Sequence, residues 1–476
     1  MNSAGFGATP SRLVAPGPGG QNAPMRPTDL ESRPRLSLFA PLAGFVVIAA
    51  LLQFLLILNP GYYSHDELQW GALGDVAPGA SLPWVSWLDW RVFQFRPLTF
   101  NLWLLLSHCL FGSPVAFHAL WVALGIGNGL LLLRLMQRLG VGVAPALLFA
   151  LGFVLGPFAA YTHGWVGTLA DLLWVGFGLL LAQVLLWAGD DPTRRWPARA
   201  LAFALTALAL LSKESAIVLP TLVALAWLLS GRRRILRDAA ICSALPVLAY
   251  LALRLHIILF APRSSGAYGW SLLSIPKQWL TYQLFPLMPS IPEIHIMLTR
   301  SSRHWLSVGL FWLILASLVV RANVRAGVLF VLGGALALGP VLLLEAPSNH
   351  YGYGFAAVSM LALALAWAGL GGIGRALAVL FVLIGAWHGI NIQRELRHDG
   401  ELQARFSPAL AQAIVAAERL PVRVRIPEDH GWVYQRASHD LQSYRGVAIG
   451  DRVQLVRGDE AADYRVEPDG GLKKIP

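Results

Sequence analysis

The chain has 476 residues, of which 56% are hydrophobic and only 13% charged, with a net charge of +11 and a mean hydropathy of +0.57. A water-soluble domain of that length needs far more charge to cover its surface, so a soluble globular protein is excluded. The positive charge does not indicate nucleic acid, because the arginines fall in short clusters between apolar blocks of ~16–22 residues. Each block is near the ~20 residues that carry a helix across a ~30 Å hydrocarbon core, and arginines so placed set orientation in a membrane.

Residues 1–36, rich in Pro and Gly and without a signal-peptide core, predict a disordered cytoplasmic tail. The first span is Leu38–Leu58. With Arg26, Arg33 and Arg35 inside, the chain emerges at Asn59, and Pro60–Arg96 is a long outer loop. Trp84, Trp87 and Trp90, at three-residue spacing, predict one face of a helix lying in the interface. Asn101–Phe111, too short to cross, is expected along the same interface. His118–Leu135 then runs inward to Arg134 and Arg138, Val143–Ala160 runs outward, and Gly167–Trp187 returns to Arg194, Arg195 and Arg199.

Between Arg199 and Arg232 lie 32 residues, too few for two full spans and too many for one. Arginines at both ends require an even number of crossings, which predicts a partly re-entrant hairpin with its tip near Leu211–Ser215. A single long span would invert everything downstream. Ala239–Phe260 runs out to a second outer loop, Ala261–His304. Leu306–Val320 goes in, Gly327–Leu344 out, Phe355–Leu370 in to Arg375, and Leu377–Gly389 out.

The fold class expected is an all-α polytopic membrane domain over residues 37–392. It has about eleven membrane helices, interfacial helices in two long outer loops, the N-terminus inside and the C-terminus outside. A small α+β domain follows over residues 393–476, with helical periodicity at Glu401–Leu420 and short strands at Val422–Ile426, Gly446–Val456 and Asp463–Val466. No internal repeat is visible, which weighs against an inverted-repeat transporter. The two cysteines, Cys109 and Cys242, sit far apart in apolar segments and read as small buried hydrophobes, neither disulfide-bonded nor metal-binding.

Five places carry residues able to do chemistry, and this weave puts all of them on the outer side. In Ser64-His65-Asp66-Glu67, two adjacent carboxylates beside a histidine can supply a general base or hold a divalent cation; a solvated loop end is the plainer reading. Arg96, just before Pro97 in the first turn of a helix, can fork onto a phosphate or touch a lipid headgroup. Lys213 and Glu214 sit at the hairpin tip. Of the four lysines, Lys213, Lys277, Lys473 and Lys474, only Lys213 lies inside a hydrophobic segment. A charge there costs ~2.5–3.5 kcal/mol on insertion scales and is functional by default, the alternative being a structural pair with Glu214 or Asp171. His163 and Asp171 face the bundle interior, lining a cavity or bonding one another in the core. Glu345, with Asn349, His350 and Tyr351, stands at the outer end of another span, where an interface anchor is the alternative. Acid, base and cations agree in depth and side. One outer cavity holding them suits a ligand with a lipid tail and a phosphate.

Four stretches occur in an order with a family likeness. They are His65-Asp66-Glu67 after the first span, Phe95-Arg96-Pro97-Leu98 with Leu110-Phe111-Gly112 and Phe117-His118, Leu210–Pro220 around Lys213-Glu214, and Asn349–Tyr353 opening a late span. In these, over roughly Leu38–Leu370, the chain resembles the integral-membrane (GT-C fold) glycosyltransferases. The resemblance is to the protein O-mannosyltransferase and aminoarabinose-transferase group, and in pattern to the membrane half of the tetratricopeptide-linked O-mannosyltransferases. It departs from them in carrying Asp66-Glu67 where an Asp-Asp pair is usual, Arg96-Pro97 where the aminoarabinose transferases have Lys-Pro, and no tetratricopeptide repeats.

The resemblance implies a polyprenyl-phosphate sugar as donor and Asp66, with Glu67 beside it, as the catalytic acidic group. Arg96 and Lys213 would bind the donor phosphate, and His65, His163, Asp171, Glu214, His350 and Tyr351 would line the cavity. A divalent cation at Asp66 and Glu67 is left open. The expected activity is inverting transfer to a cell-envelope glycan, lipid or protein at the periplasmic face of a bacterial inner membrane. Two rivals are a transporter or lipid-linked-sugar flippase, and a non-catalytic assembly protein whose C-terminal domain binds a partner.

Overall fold

A computed structural model of the chain describes residues 36–77, 79–189, 191–231, 233–260, 269–299, 302–428, 431–439 and 441–475. The tail expected over residues 1–36 lies, but for Leu36, outside them. Apolar runs rich in Leu and Ala make long helices, because these side chains lose little rotamer freedom in a helix and can face lipid or one another. In chain order the principal ones are α1 (Leu36–Leu52), α2 (His65–Gly74), α3 (Pro97–Leu110), α4 (Pro114–Arg138), α5 (Val143–Leu155), α6 (Pro157–Gly164), α7 (Leu169–Ala188), α8 (Arg195–Ser212), α9 (Leu219–Leu229), α10 (Arg234–Phe260), α11 (Ile275–Leu284) and α12 (Ser302–Ala322). They are followed by α13 (Val324–Leu343), which passes through a π-helical turn at Leu329–Gly333, then α14 (Tyr353–Ala366) and α15 (Gly372–Val415).

Among the described residues, six helical segments are long and apolar enough to cross a membrane, and seven if α5 and α6 count as one bent span. The protein is a multi-pass helical membrane protein. The α5–α6 pair bends by 53° at Gly156–Pro157, where Gly156 is extended and Pro157 has no N–H to continue the ladder.

The stretch between Arg199 and Arg232 is a hairpin. α8 stops at Lys213, whose backbone is extended (φ −158°, ψ 138°), and a 3-10 turn at Glu214–Val218 leads into α9. One apolar cluster joins Leu185 and Ala188 at the end of α7, Ala198 and Ala202 at the start of α8, Val223 of α9, and Ile235 and Ala239 at the start of α10. The chain therefore leaves and returns to the same end of the bundle, the end bearing Arg194 and Arg233, and the tip with Lys213 points to the other.

Three expectations are corrected by packing. The tryptophan-bearing stretch before α3 is not helical; residues 81–96 form bends and extended backbone, with Trp84, Trp87 and Trp90 exposed. Its backbone polar groups are taken by side chains instead. Arg254, 1% exposed, donates to the carbonyls of Trp90, Val92 and Phe93, and Asn101 bridges the N–H and C=O of Val85 at 2.6 and 2.9 Å. Second, the last span and the helix assigned to the C-terminal domain are one continuous helix, the 44-residue α15. Third, both cysteines are free, but Cys109 is exposed rather than buried.

Beyond α15 comes a small mixed sheet in the order β4-β1-β5-β6. Its strands are β1 (Val422–Arg425), β4 (Val453–Val456), β5 (Tyr464–Val466) and β6 (Leu472–Lys474), while β2 (Ser443–Tyr444) and β3 (Val447–Ala448) form a separate hairpin. β1 runs parallel to both β4 and β5, and β5 is antiparallel to β6. A short helix, α16 (Gly431–Arg436), lies in the β1–β2 connection.

Candidate functional site

The first outer loop re-enters the bundle through α2. Ser64 caps that helix and Glu67 completes a capping box. Glu67 Oε2 accepts from the backbone N–H of Tyr63 at 2.6 Å and of Ser64 at 2.9 Å, and Oε1 accepts from Val166 N–H at 2.6 Å. Burial pushes this carboxyl up to about 8, against the pull of the three amides. With both oxygens accepting from backbone amides, Glu67 anchors α2 to the α6–α7 junction. Asp66 differs. Its side chain is 41% exposed, and it pairs with His65, whose Nε2 lies 3.3 Å from Oδ1. Among the described residues no group of three or more His, Cys, Asp or Glu gathers.

A second cluster forms where α3 meets the hairpin tip. Arg96 is the N-cap residue of α3, with Pro97 in the first turn, and Thr99 of α3 donates to the carbonyl of Ser212 at 2.9 Å. That contact brings Arg96 Nε to 2.7 Å from Glu214 Oε2. Lys213 turns the other way, into the bundle, where its Nζ contacts both Asp171 oxygens at 2.5 and 2.6 Å. Arg96 and Glu214 keep 18% and 23% of their side chains exposed; Lys213 and Asp171 keep 3% each. The four charges sum to zero, so both cations are neutralised in place. The Arg96–Glu214 pair is thus the more exposed of the two, although Glu214 Oε1 is itself buried and without a hydrogen-bond partner.

Aromatic rings join the two clusters. Lys213 Nζ lies 4.7 Å over the Tyr351 ring; Tyr351 meets His350 at 4.2 Å, His350 meets Trp165 at 5.1 Å, and Trp165 meets Tyr63 at 5.9 Å. Burial, with the nearby Lys213 and Arg96 charges, holds His350 well below the usual histidine range, so it is neutral at pH 7 and acts as a hydrogen-bonding group. His163 does not join this lane. Fully buried, it contacts Gln53 Oε1 at 2.7 Å and the Tyr353 hydroxyl at 3.1 Å, tying α1 and α6 to α14.

The far end of the lane holds residues that sequence reasoning missed. The Tyr63 hydroxyl donates to Glu293 Oε1 at 2.8 Å and receives one from Tyr161 at 2.8 Å. Burial alone would raise the Glu293 carboxyl, but hydrogen bonds from His295 and Tyr63 outweigh it and hold it below the usual range. From the C-terminal domain, Arg436 lies 5.2 Å over Tyr63 and 4.8 Å over Trp432. The one available signal was the four-residue spacing of Trp432 and Arg436, which puts them on one face of a helical turn. Asn349 closes the ring from below, accepting from Ile294 N–H and donating to Pro292 C=O, both at 2.7 Å.

Asp66, His65, Arg96, Glu214, Lys213, Asp171, His350 and Tyr351 thus share one end of the bundle, opposite the arginine-bearing end. Of these, Asp66 is the partly exposed acid and Arg96 the reachable cation. No protein-family model matches the chain, and no curated protein matches it.

Proposed function

We propose that the chain is an inverting glycosyltransferase that moves a sugar from a polyprenyl-phosphate donor to a cell-envelope glycan, lipid or protein. In this reading it sits in a bacterial inner membrane with about eleven crossings, the shorter apolar helices included, and with the tip end and C-terminal sheet in the periplasm. The observation that carries the reading is the division of labour between adjacent carboxylates. Glu67 accepts from three amides and fixes the turn, while Asp66, one residue before it, keeps 41% of its side chain exposed beside His65.

The chemistry balances with this chain's own groups. An acceptor hydroxyl attacks the anomeric carbon and Asp66 takes its proton. The bond between that carbon and the phosphate oxygen breaks, and the departing phosphate keeps the electron pair. Arg96, from which the phosphate displaces Glu214, neutralises that phosphate. Lys213, sealed against Asp171, holds the hairpin tip in place beside it. The flippase rival fits less well, because among the described residues the buried charged side chains Glu67, Asp171, Lys213, Arg254 and Asp399 lie toward the tip end, and the cluster around Ala198 and Ala239 at the other end is apolar.

Asp66→Asn should lower transfer of labelled sugar from polyprenyl phosphate by ~10²–10⁴-fold, the contribution of a positioned base, while the purified variant melts as the parent does. Full activity in that variant would remove Asp66 from the reaction.

A further inference from the structure

At the arginine-bearing end a cavity of about 520 Å³ opens between α4, α7, α9, α13 and α14. Its wall is aliphatic along most of its length. The upper end is closed by Trp174, whose indole packs directly on the backbone of Gly354 and stands between the cavity and the turn of α7 that holds Asp171. At the opposite end the lining turns polar, with Ser230, Asn323, Arg233 and Arg325. Both arginines are exposed, and neither belongs to an ion pair among the described residues. From Trp174 to Gly189 along α7 the groove runs ~22 Å at 1.5 Å per residue, enough to take an acyl chain from one leaflet, ~15 Å deep.

We infer that this groove is a binding site for an anionic phospholipid, with one acyl chain between α7 and α14 and the headgroup phosphate on Arg233 and Arg325. The polarity of the groove decides against the alternative occupant, the tail of a lipid whose phosphate sits at Arg96. With such a tail in the groove, the two arginines would face no anion. Guanidinium pairs suit phosphate oxygens, and cytoplasmic-leaflet phosphates lie where clustered arginines are found. The inference stands whether or not the transferase reading does.

The test is native mass spectrometry of the full chain in detergent, titrated separately with phosphatidylglycerol and with phosphatidylcholine of the same chains. The parent should retain phosphatidylglycerol in preference. Replacing both arginines, Arg233→Gln with Arg325→Gln, should weaken it roughly thirtyfold and abolish the preference, at about fivefold for each cation lost near a membrane surface. Ala226→Phe, which fills the groove from α9, should lower binding of both lipids with the arginines intact; Ala182→Phe fills it from α7 should the first variant fail to fold. Equal binding of the two lipids by the parent, or an unchanged double variant, would overturn the site. So would a polyprenyl phosphate that displaces phosphatidylglycerol, is blocked by Ala226→Phe and is indifferent to the arginines, since the groove would then hold that lipid's tail.

Discussion

Lys213 is held in a pocket that leaves 3% of its side chain exposed, and Asp171 is buried to the same extent. Two such charges recover their desolvation chiefly from each other, so removing one is far worse than removing both. Lys213→Met should cost ~3–5 kcal/mol by leaving the Asp171 carboxylate uncompensated, whereas Lys213→Met with Asp171→Leu should recover most of that stability. The same pair of variants separates two roles. If Lys213 serves only to neutralise Asp171 and hold the tip, the double variant also regains transfer to within about tenfold of the parent. That is the outcome expected here, because Arg96 and not Lys213 is the cation within reach of solvent. A stable but inactive double variant would put the ammonium on the phosphate. The sequence marked Lys213 by its rarity and its apolar setting, and named Asp171 as one of two partners. It could not say which carboxylate would claim which cation, since that choice depends on the extended backbone at Lys213 turning its side chain inward.

Among elements, the stretch over residues 81–96 shows how one buried cation overrides a helical pattern. Arg254 donates to three carbonyls of that loop, those of Trp90, Val92 and Phe93. With those carbonyls satisfied by Arg254 and the Val85 amide bridged by Asn101, the stretch meets its backbone hydrogen bonds without forming a helix. Arg254→Ala should therefore loosen the loop while sparing the bundle. Hydrogen bonds to charged groups contribute ~1.5–3 kcal/mol each, and the measurable result is faster amide exchange and proteolysis between Trp84 and Phe93 with little change at α4 or α7. Unchanged protection there would mean that Asn101 alone pins the segment. The long apolar helices and the hairpin were legible in the sequence because burial in lipid demands long apolar runs and arginines declare their ends, whereas of the roughly eleven crossings expected, six or seven segments among the described residues are long and apolar enough to cross. The loop's shape was not, because its partner lies 164 residues away on α10. Pro157 was visible, but the size of the bend at Gly156 depends on how α6 packs against α15.

For the whole molecule, the question is how the C-terminal sheet is coupled to the membrane body, and α15 supplies the coupling. Composition changes near Gln393, but the helix continues through that point because the residues that follow include good helix formers and no proline before Pro408. The loop that carries Asp66 is moored to its upper half. Asn59 Nδ2 donates to the Leu396 carbonyl at 3.0 Å, and Tyr62 N–H donates to Gln403 Oε1 at 2.8 Å. Gly61 sits so near the Gly400 carbonyl that any Cβ would collide with it. Two truncations should then behave differently. A chain ending after residue 392 loses the moorings, at ~1 kcal/mol for each buried hydrogen bond, and should melt lower and be cut by protease between Asn59 and Gly74. A chain ending after residue 416 keeps them and should melt near the parent. It loses the contacts of Arg436 and Trp432 with Tyr63, so transfer should fall by about tenfold or more, the effect of about 1.4 kcal/mol at the transition state. Equal melting of the two truncated chains would show that α15 does not hold the loop. Full transfer in vitro by the 416-residue chain, with loss of function only in cells, would assign the sheet to partner binding and leave the reaction to the membrane body alone.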